Sequence, residues 1–252
     1  MSEFAATVIL TAGGQSRRMG TCKAFLPFQG VPLIEHQLQT CLSVATQVVI
    51  VASSRHFAAV QDIIGRQEPI HHSCSHVPAV SAVTDHPSFS GEGPLAGLFT
   101  GLFHIHYRTN QIPFPGVFFL GCDLPFIDTD FLHHFHNYVR QDQADGGEYD
   151  AYIPFWNGQP QPLSSWLTLS SSTLLPYLQR GIRSWKNLIP LLRVHCIAEK
   201  VWRTWSRWPQ PFLNLNTPRD YANALRMNQM QRDRPPESER RIHHASPQND
   251  DR

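Results

Sequence analysis

The sequence predicts an α/β fold in which helices flank a mostly parallel sheet, and three observations predict it. Short runs rich in β-branched and aromatic residues alternate with amphipathic stretches along the chain. A chain of 252 residues that is 41% hydrophobic can bury a full core and falls within the usual size of one α/β domain. No internal repeat is found.

The elements follow in order. The first strand is expected at Ala6–Thr11. Ile34, Leu38, Cys41 and Leu42 keep i, i+4, i+7, i+8 spacing and so form one apolar stripe of a helix that Pro32 can start. Strands are expected at Gln47–Ala52 and Ala79–Thr84, with a helix near Phe57–Ile64 between them. Another helix, from about Leu95 to Tyr107, leads to a strand at Gly116–Leu120. A helix over Thr129–Arg140 has a clear start, because Asp128 or Thr129 can cap it while Phe131, Leu132, Phe135 and Val139 keep to one side. Further strands are expected at Asp150–Pro154, Pro162–Leu167 and Leu192–Ala198, and helices at Ser170–Leu178 and Trp185–Leu191. The last helix, Pro218–Met227, has Thr217 as cap and Pro218 at its first position. Gly65–Val77 and Gln141–Glu148 read as loops. Beyond Met230 only two apolar residues stand among charges and prolines, so residues 1–229 form the domain and 230–252 read as a disordered tail.

Composition excludes several classes of function. With 21 basic and 20 acidic residues the formal net charge is +1, so no global field draws nucleic acid or an anionic membrane, and any phosphate recognition must be local. No run approaches the roughly 20 apolar residues that span a bilayer, and the start MSEFAATVIL lacks the charged flank and long apolar core of a signal peptide. A cytoplasmic location is expected. The five cysteines, Cys22, Cys41, Cys74, Cys122 and Cys196, are odd in number and form no C-x-x-C pair, which argues against a disulfide framework or a thiolate zinc site. Among 14 histidines, His104 and His106 alternate, whereas His133 and His136 could share a helix face; no third ligand with clear spacing follows, so packing or solvated roles are expected.

Chemistry concentrates directly after the first strand, in ILTAGGQSRRMGTCKAFLPFQGVPLIEH. A strand ending in Ala12-Gly13-Gly14 delivers a turn to the carboxyl edge of the sheet, where ligands bind in open α/β folds. Glycine there lets backbone N–H groups approach an anion and form a concave donor nest. Arg18 and Lys23 bracket the loop, a planar fork and a point charge suited to a triphosphate. The run matches neither a Walker loop, since Gly20 is followed by Thr21-Cys22-Lys23, nor the dinucleotide fingerprint, since Gly13 and Gly14 are adjacent. Further on, VFFLGCDLPFI places Asp123 just past a hydrophobic strand, with Pro125 turning the chain away. A carboxylate at that rim suits Mg²⁺ shared with phosphate oxygens, although capping the turn before the next helix would also employ it.

These runs resemble the signature of the molybdenum cofactor guanylyltransferases, roughly L-A-G-G-x-S-x-R-M-G-x-x-K-x-x-L-x-x-x-G-x-P-L-I. Three further blocks match in the same order: Asp85 before Gly93-Pro94-Leu95-Ala96-Gly97, then Cys122-Asp123-Leu124-Pro125-Phe126, then Asn214-Leu215-Asn216-Thr217-Pro218. The similarity spans about residues 6 to 226. It implies a Rossmann-like, three-layer α/β/α nucleotidyltransferase fold, mostly parallel with an antiparallel strand. It also implies transfer of GMP from GTP to the phosphate of molybdopterin, with Mg²⁺ as cofactor and pyrophosphate released. Protein contacts with a cofactor-delivery or acceptor molybdoenzyme would follow.

Carried over by position, the resemblance assigns nucleotide binding to Thr11, Ala12, Gly13, Gly14, Lys23, Asp85, Gly97, Asp123 and Asn216, catalysis to Lys23, Arg18 and Asp123, and the metal to Asp123. Asp85 falls where that family contacts the nucleoside and could accept two hydrogen bonds from the edge of guanine. Gln161 and Pro162 fall in the region of the pterin acceptor. Two departures stand out: Thr11 replaces the usual leucine, and Ala52-Ser53-Ser54 lacks an asparagine that some relatives place beside the base. A related transferase using CTP or a sugar-phosphate acceptor is the first alternative; Gly13-Gly14, where cytidylyl relatives usually show Ala-Gly, and the Gly93–Gly97 block favour guanylyl transfer. A nucleotide-binding regulator without catalysis is the second, and joint retention of Lys23, Asp123 and Asn216 speaks against it. A dinucleotide-dependent dehydrogenase is a distant third, without its glycine fingerprint.

Overall fold

The structure is a computed structural model and describes residues 6–12, 22–67, 78–109 and 116–233. In chain order it contains β1 (Ala6–Thr11), β2 (Pro27–Phe28), β3 (Val31–Pro32), α1 (Leu33–Leu42), β4 (Ala45–Ala52), α2 (Phe57–Gly65), β5 (Ala79–Thr84) and α3 (Pro94–Thr109). There follow β6 (Val117–Gly121), α4 (Thr129–Ala144), β7 (Ala151–Trp156), β8 (Gln159–Pro160), β9 (Ser164–Leu167), α5 (Ser171–Gln179), α6 (Trp185–Leu188), β10 (Val194–Ile197), α7 (Glu199–Trp202) and α8 (Pro218–Arg232).

The main sheet runs β10-β7-β9-β6-β1-β4-β5, with β8 paired to β7. β1 lies parallel to both β4 and β6, β4 to β5, and β10 to β7, whereas β9 is antiparallel to both of its neighbours. The expected mostly parallel, three-layer α/β/α fold with an antiparallel strand is therefore the fold observed. Strand alternation splits the core in two. Val8, Leu10, Val48, Ile50, Phe118 and Leu120 face α1, α2 and α4, while Ile9, Val49, Val51, Val117 and Phe119 face α3, α5 and α6. With both faces covered, β6 is buried along its whole length. No helix among the described residues is long and apolar enough to cross a membrane.

Helix starts follow the sequence closely. The Asp128 carboxylate accepts from Phe131 N–H at the head of α4, and Thr217 with Asp220 forms a capping box ahead of Pro218 in α8. Ends and turns differ more. β6 begins at Val117, one residue later than expected, because Gly116 turns with φ of 105° against the Trp166 indole, where any Cβ would sit 2.5 Å from Nε1. β7 continues to Trp156, two residues past the expected end, because Asn157 (φ 49°) and Gly158 (φ 70°) make a two-residue hairpin turn to β8. β9 starts at Ser164, not Pro162, since Ser164 N–H bonds back to the Gln161 carbonyl in a turn. α4 runs on through Gln141–Ala144, which the sequence suggested as loop, and ends where Gly146 and Gly147 follow. Pro190 limits α6 to Leu188 and leaves a 3₁₀ turn over Ile189–Leu191. α8 reaches Arg232, three residues into the stretch read as tail; residues 234–252 lie outside the described ones, as do 68–77 of the expected loop.

A candidate active site at the carboxyl edge of the sheet

The parallel strands β1, β4, β5 and β6 end on one edge of the sheet. The reversed direction of β9 brings its beginning to that same edge, so the sheet gathers Thr11, Ala52, Thr84, Gly121 and Ser164 along one rim. Backbone bonds lock the centre of the rim: Ala12 N–H donates to Val51 O at 2.9 Å, and Cys122 N–H to Thr11 O at 3.1 Å. Gly97 lies in the first turns of α3 against the Thr11 methyl, where a Cβ would come within 3.3 Å, and Gly101 sits so close to Ile9 that a Cβ would approach to 2.6 Å. These glycines set the helix tight against β1 and hold its start at the rim.

Lys23, in a 3₁₀ turn over Lys23–Phe25, projects its ammonium to Asp123 Oδ2 at 3.2 Å and to Asn216 Oδ1 at 2.7 Å. Both charged side chains are 16% exposed, enough to meet a ligand and dry enough for their attraction to be stronger than in water. Asp123 lies two residues past β6 and folds back over Gly121, where any Cβ would stand 2.7 Å from Oδ1. Glycine at 121 is therefore part of how the carboxylate is aimed. Asn216 is presented by a loop that Leu215 N–H ties to Asp123 O at 3.0 Å, and the α8 cap holds the loop's far end, with Asn216 N–H donating to Asp220 Oδ2 at 3.1 Å. Residues 100 and 193 positions away from Lys23 thus meet it at one point.

A cleft of about 180 Å³ opens beside this triad, walled by Pro94, Leu124, Gln161, Pro162, Leu163, Ser164, Trp185 and Asn214. Two of its lining residues carry buried polar atoms without a hydrogen-bond partner among the described residues, the Trp185 indole N–H and Asn214 Oδ1. Each such orphan costs about 1–3 kcal/mol unless a ligand satisfies it. Two strands away from β1, past the end of β5, Asp85 accepts from Gly91 N–H at 3.3 Å, and burial raises its carboxyl above the ordinary value.

The structure brings Lys23, Asp123 and Asn216 together and sets Thr11, Ala12 and Gly97 beneath them. Thr11 is 8% exposed with its hydroxyl donated to Leu120 O, so its side chain packs the rim. Gln161 and Pro162 line the cleft. Gly13, Gly14 and Arg18 lie outside the described residues. Sequence reasoning missed Gly121, Trp185 and the orphaned oxygen of Asn214; only the second asparagine of the Asn214–Asn216 block drew notice, and nothing in the sequence marks Trp185. The cysteines among the described residues, Cys22, Cys41, Cys122 and Cys196, are unbridged. No group of three or more His, Cys, Asp or Glu side chains among the described residues is arranged to hold a metal by itself. His104 Nε2 lies 3.2 Å from Ser81 Oγ, and His136 packs against Trp166.

Residues 8–195 match the MobA-like NTP transferase domain. The chain belongs to that family. It is accordingly an α/β nucleotidyltransferase. A relative from Bacillus cereus (strain ZK / E33L), named probable molybdenum cofactor guanylyltransferase, is 30% identical over 225 residues, covering 89% of this chain and 96% of its own length. One of the same name from Bacillus cytotoxicus is 27% identical over 218 residues, covering 86% and 94%. The solved structure of molybdopterin-guanine dinucleotide biosynthesis protein A from Archaeoglobus fulgidus superposes with a TM-score of 0.66 at 23% identity, covering 89% of this chain and 99% of that one, and shares the fold.

Proposed function

We propose that this nucleotidyltransferase, in the cytoplasm, moves GMP from GTP to the terminal phosphate of molybdopterin and releases pyrophosphate. The observation that carries the reading is the Lys23 ammonium held between Asp123 and Asn216 at the rim, next to a cleft with unsatisfied polar atoms. The names of the bacillar relatives support the nucleotide and the acceptor. In-line attack by an already anionic phosphate on the α-phosphorus needs little proton chemistry. The barrier is mutual repulsion of anions and loss of orientation.

Each residue then has a task. Gly13 and Gly14, following Ala12, would receive the triphosphate on backbone N–H groups, and Lys23 with Arg18 offsets charge that builds on the leaving pyrophosphate. Asp85 reads the guanine edge. Gln161, Pro162 and Trp185 seat the acceptor's ring system. The Asp123 carboxylate and the Asn216 amide oxygen are hard oxygen donors, a set that suits Mg²⁺, and together they would hold it. When bound, Mg²⁺ neutralises phosphate oxygens and orients them.

A panel of nucleoside triphosphates offered with molybdopterin, with and without chelator, tests the reading. Dinucleotide product should form with GTP and Mg²⁺ and fall away with EDTA. Preference for CTP, or pyrophosphate release only with a sugar phosphate, would overturn it.

A further inference from the structure

We propose that Arg183 is a positioning residue that couples the two substrates' sites, so that acceptor tightens the hold on GTP and GTP tightens the hold on acceptor. The inference rests on the function proposed above and adds a linkage to it. Arg183 stands in the turn between α5 and α6, two residues before Trp185 of the acceptor cleft. Its guanidinium is fixed on its own side by donating to the carbonyls of Leu178 and Ile182. From there it reaches across to the segment between β5 and α3. Nε approaches Glu92 Oε2 to 2.5 Å, off the N–H direction, so the contact is an ion pair and not an aligned hydrogen bond. The guanidinium carbon lies 5.5 Å from the Phe89 ring centre, and the Arg183 carbonyl lies 3.7 Å from where a Cβ on Gly93 would stand.

That segment carries the nucleoside-reading carboxylate. Gly91 N–H donates to Asp85 Oδ2, and Glu92, paired with Arg183, is the next residue. Pro94, two residues beyond Glu92, lines the acceptor cleft. Two contacts, Arg183 to Glu92 and Gly91 to Asp85, joined by short stretches of chain, therefore link the turn that carries Trp185 to Asp85. A ligand that draws the Trp185 turn inward shifts the carboxylate that faces the base, and the reverse holds because coupling between two bound ligands is reciprocal. Gly91 and Gly93, with φ of 73° and 89°, give the segment a backbone that can follow.

Calorimetric titration with the α,β-methylene analogue of GTP, in which the bond to be broken is replaced, measures nucleotide affinity with and without saturating molybdopterin and no turnover. In the unaltered protein, acceptor should tighten analogue binding about fivefold or more. In Arg183→Ala and in Glu92→Gln the ratio should fall towards one while each ligand still binds alone; Glu92→Gln preserves size and leaves the Arg183 carbonyl bonds in place. A role confined to folding would weaken both ligands and leave the ratio unchanged. The same ratio in both variants as in the unaltered protein overturns the proposal. A protein that makes guanine dinucleotide yet shows a ratio of one loses the coupling alone; a protein that makes none from GTP loses the proposed function and the coupling with it.

Discussion

Two regions of the molecule gather polar side chains in partly buried surroundings. At the rim, Lys23, Asp123 and Asn216 converge from distant parts of the chain beside an open cleft. Near the opposite end of the sheet, where β10 meets α4, Tyr138 and Tyr152 surround His195 and Asp142: Tyr138 Oη lies 2.9 Å from His195 Nε2, Tyr152 donates to Asp142 Oδ2 at 2.8 Å, and His195 Nδ1 is 4.0 Å from Asp142 Oδ1. Tyr149 packs its ring edge-on to His195. The second region's bonds close on one another under aromatic rings, so the network joins α4 to β7 and β10. The first is built of opposite charges at a strand end that faces a ligand-sized space. Titratable groups brought together do not make a site; a site needs room and fixed charge directed into it.

The comparison fails if the two regions respond alike to substitution. The largest effects are expected at the rim, where Lys23→Ala and Asp123→Ala should each lower kcat for pyrophosphate release at least about a hundredfold. Chemical denaturation should leave their folding intact, and near-normal turnover in either would sink the assignment.

Next in size is a pH effect on the structural side. Burial against Trp166 and Phe118 lowers the His136 imidazole to about 4. Because the unfolded chain titrates near 6.5, it binds a proton that the folded protein refuses in between. Stability is thus intact above pH 6.5 and falls as pH drops through that window, by up to about 3 kcal/mol at the low end. Urea unfolding from pH 7 to pH 4 measures the slope. His136→Gln should flatten it, and an unchanged slope would assign the loss to other groups.

A subtler change sharpens the rim. Gly121→Ala places a methyl against the Asp123 carboxylate and should reduce kcat about tenfold or more with little change in unfolding midpoint, since only the aim of one side chain moves. Smallest of all, Tyr138→Phe removes the bond to His195 and should cost about 1 kcal/mol of stability, with kcat unchanged. Loss of activity there would mean the closed network reaches the chemistry.

Much of the fold was legible because its signals are local. β5 falls where its run with β-branched residues put it, and the Asp128 and Thr217 caps sit where short polar side chains precede apolar helical faces. The misplaced ends have local causes of another kind: left-handed φ at Gly116, Asn157 and Gly158, and a proline inside the stretch after Trp185. Within the site, Lys23 and Asp123 were marked by their residue types and their places after strands, and Asn216 by the family resemblance. Trp185 was not, because its importance is an unsatisfied indole N–H, a property that exists only once its neighbours are in place.

Sequence by itself determined the layers and the residue types suited to phosphate, since periodicity and side-chain chemistry act over a few residues. Tertiary structure alone decided that β9 runs backwards and so brings the Gln161–Ser164 turn to the same edge as Asp123, and that Asn216 meets Lys23 across 193 positions of chain. Which strand pairs with which, and in what direction, is settled by the burial of whole faces at once. No window of sequence contains that sum.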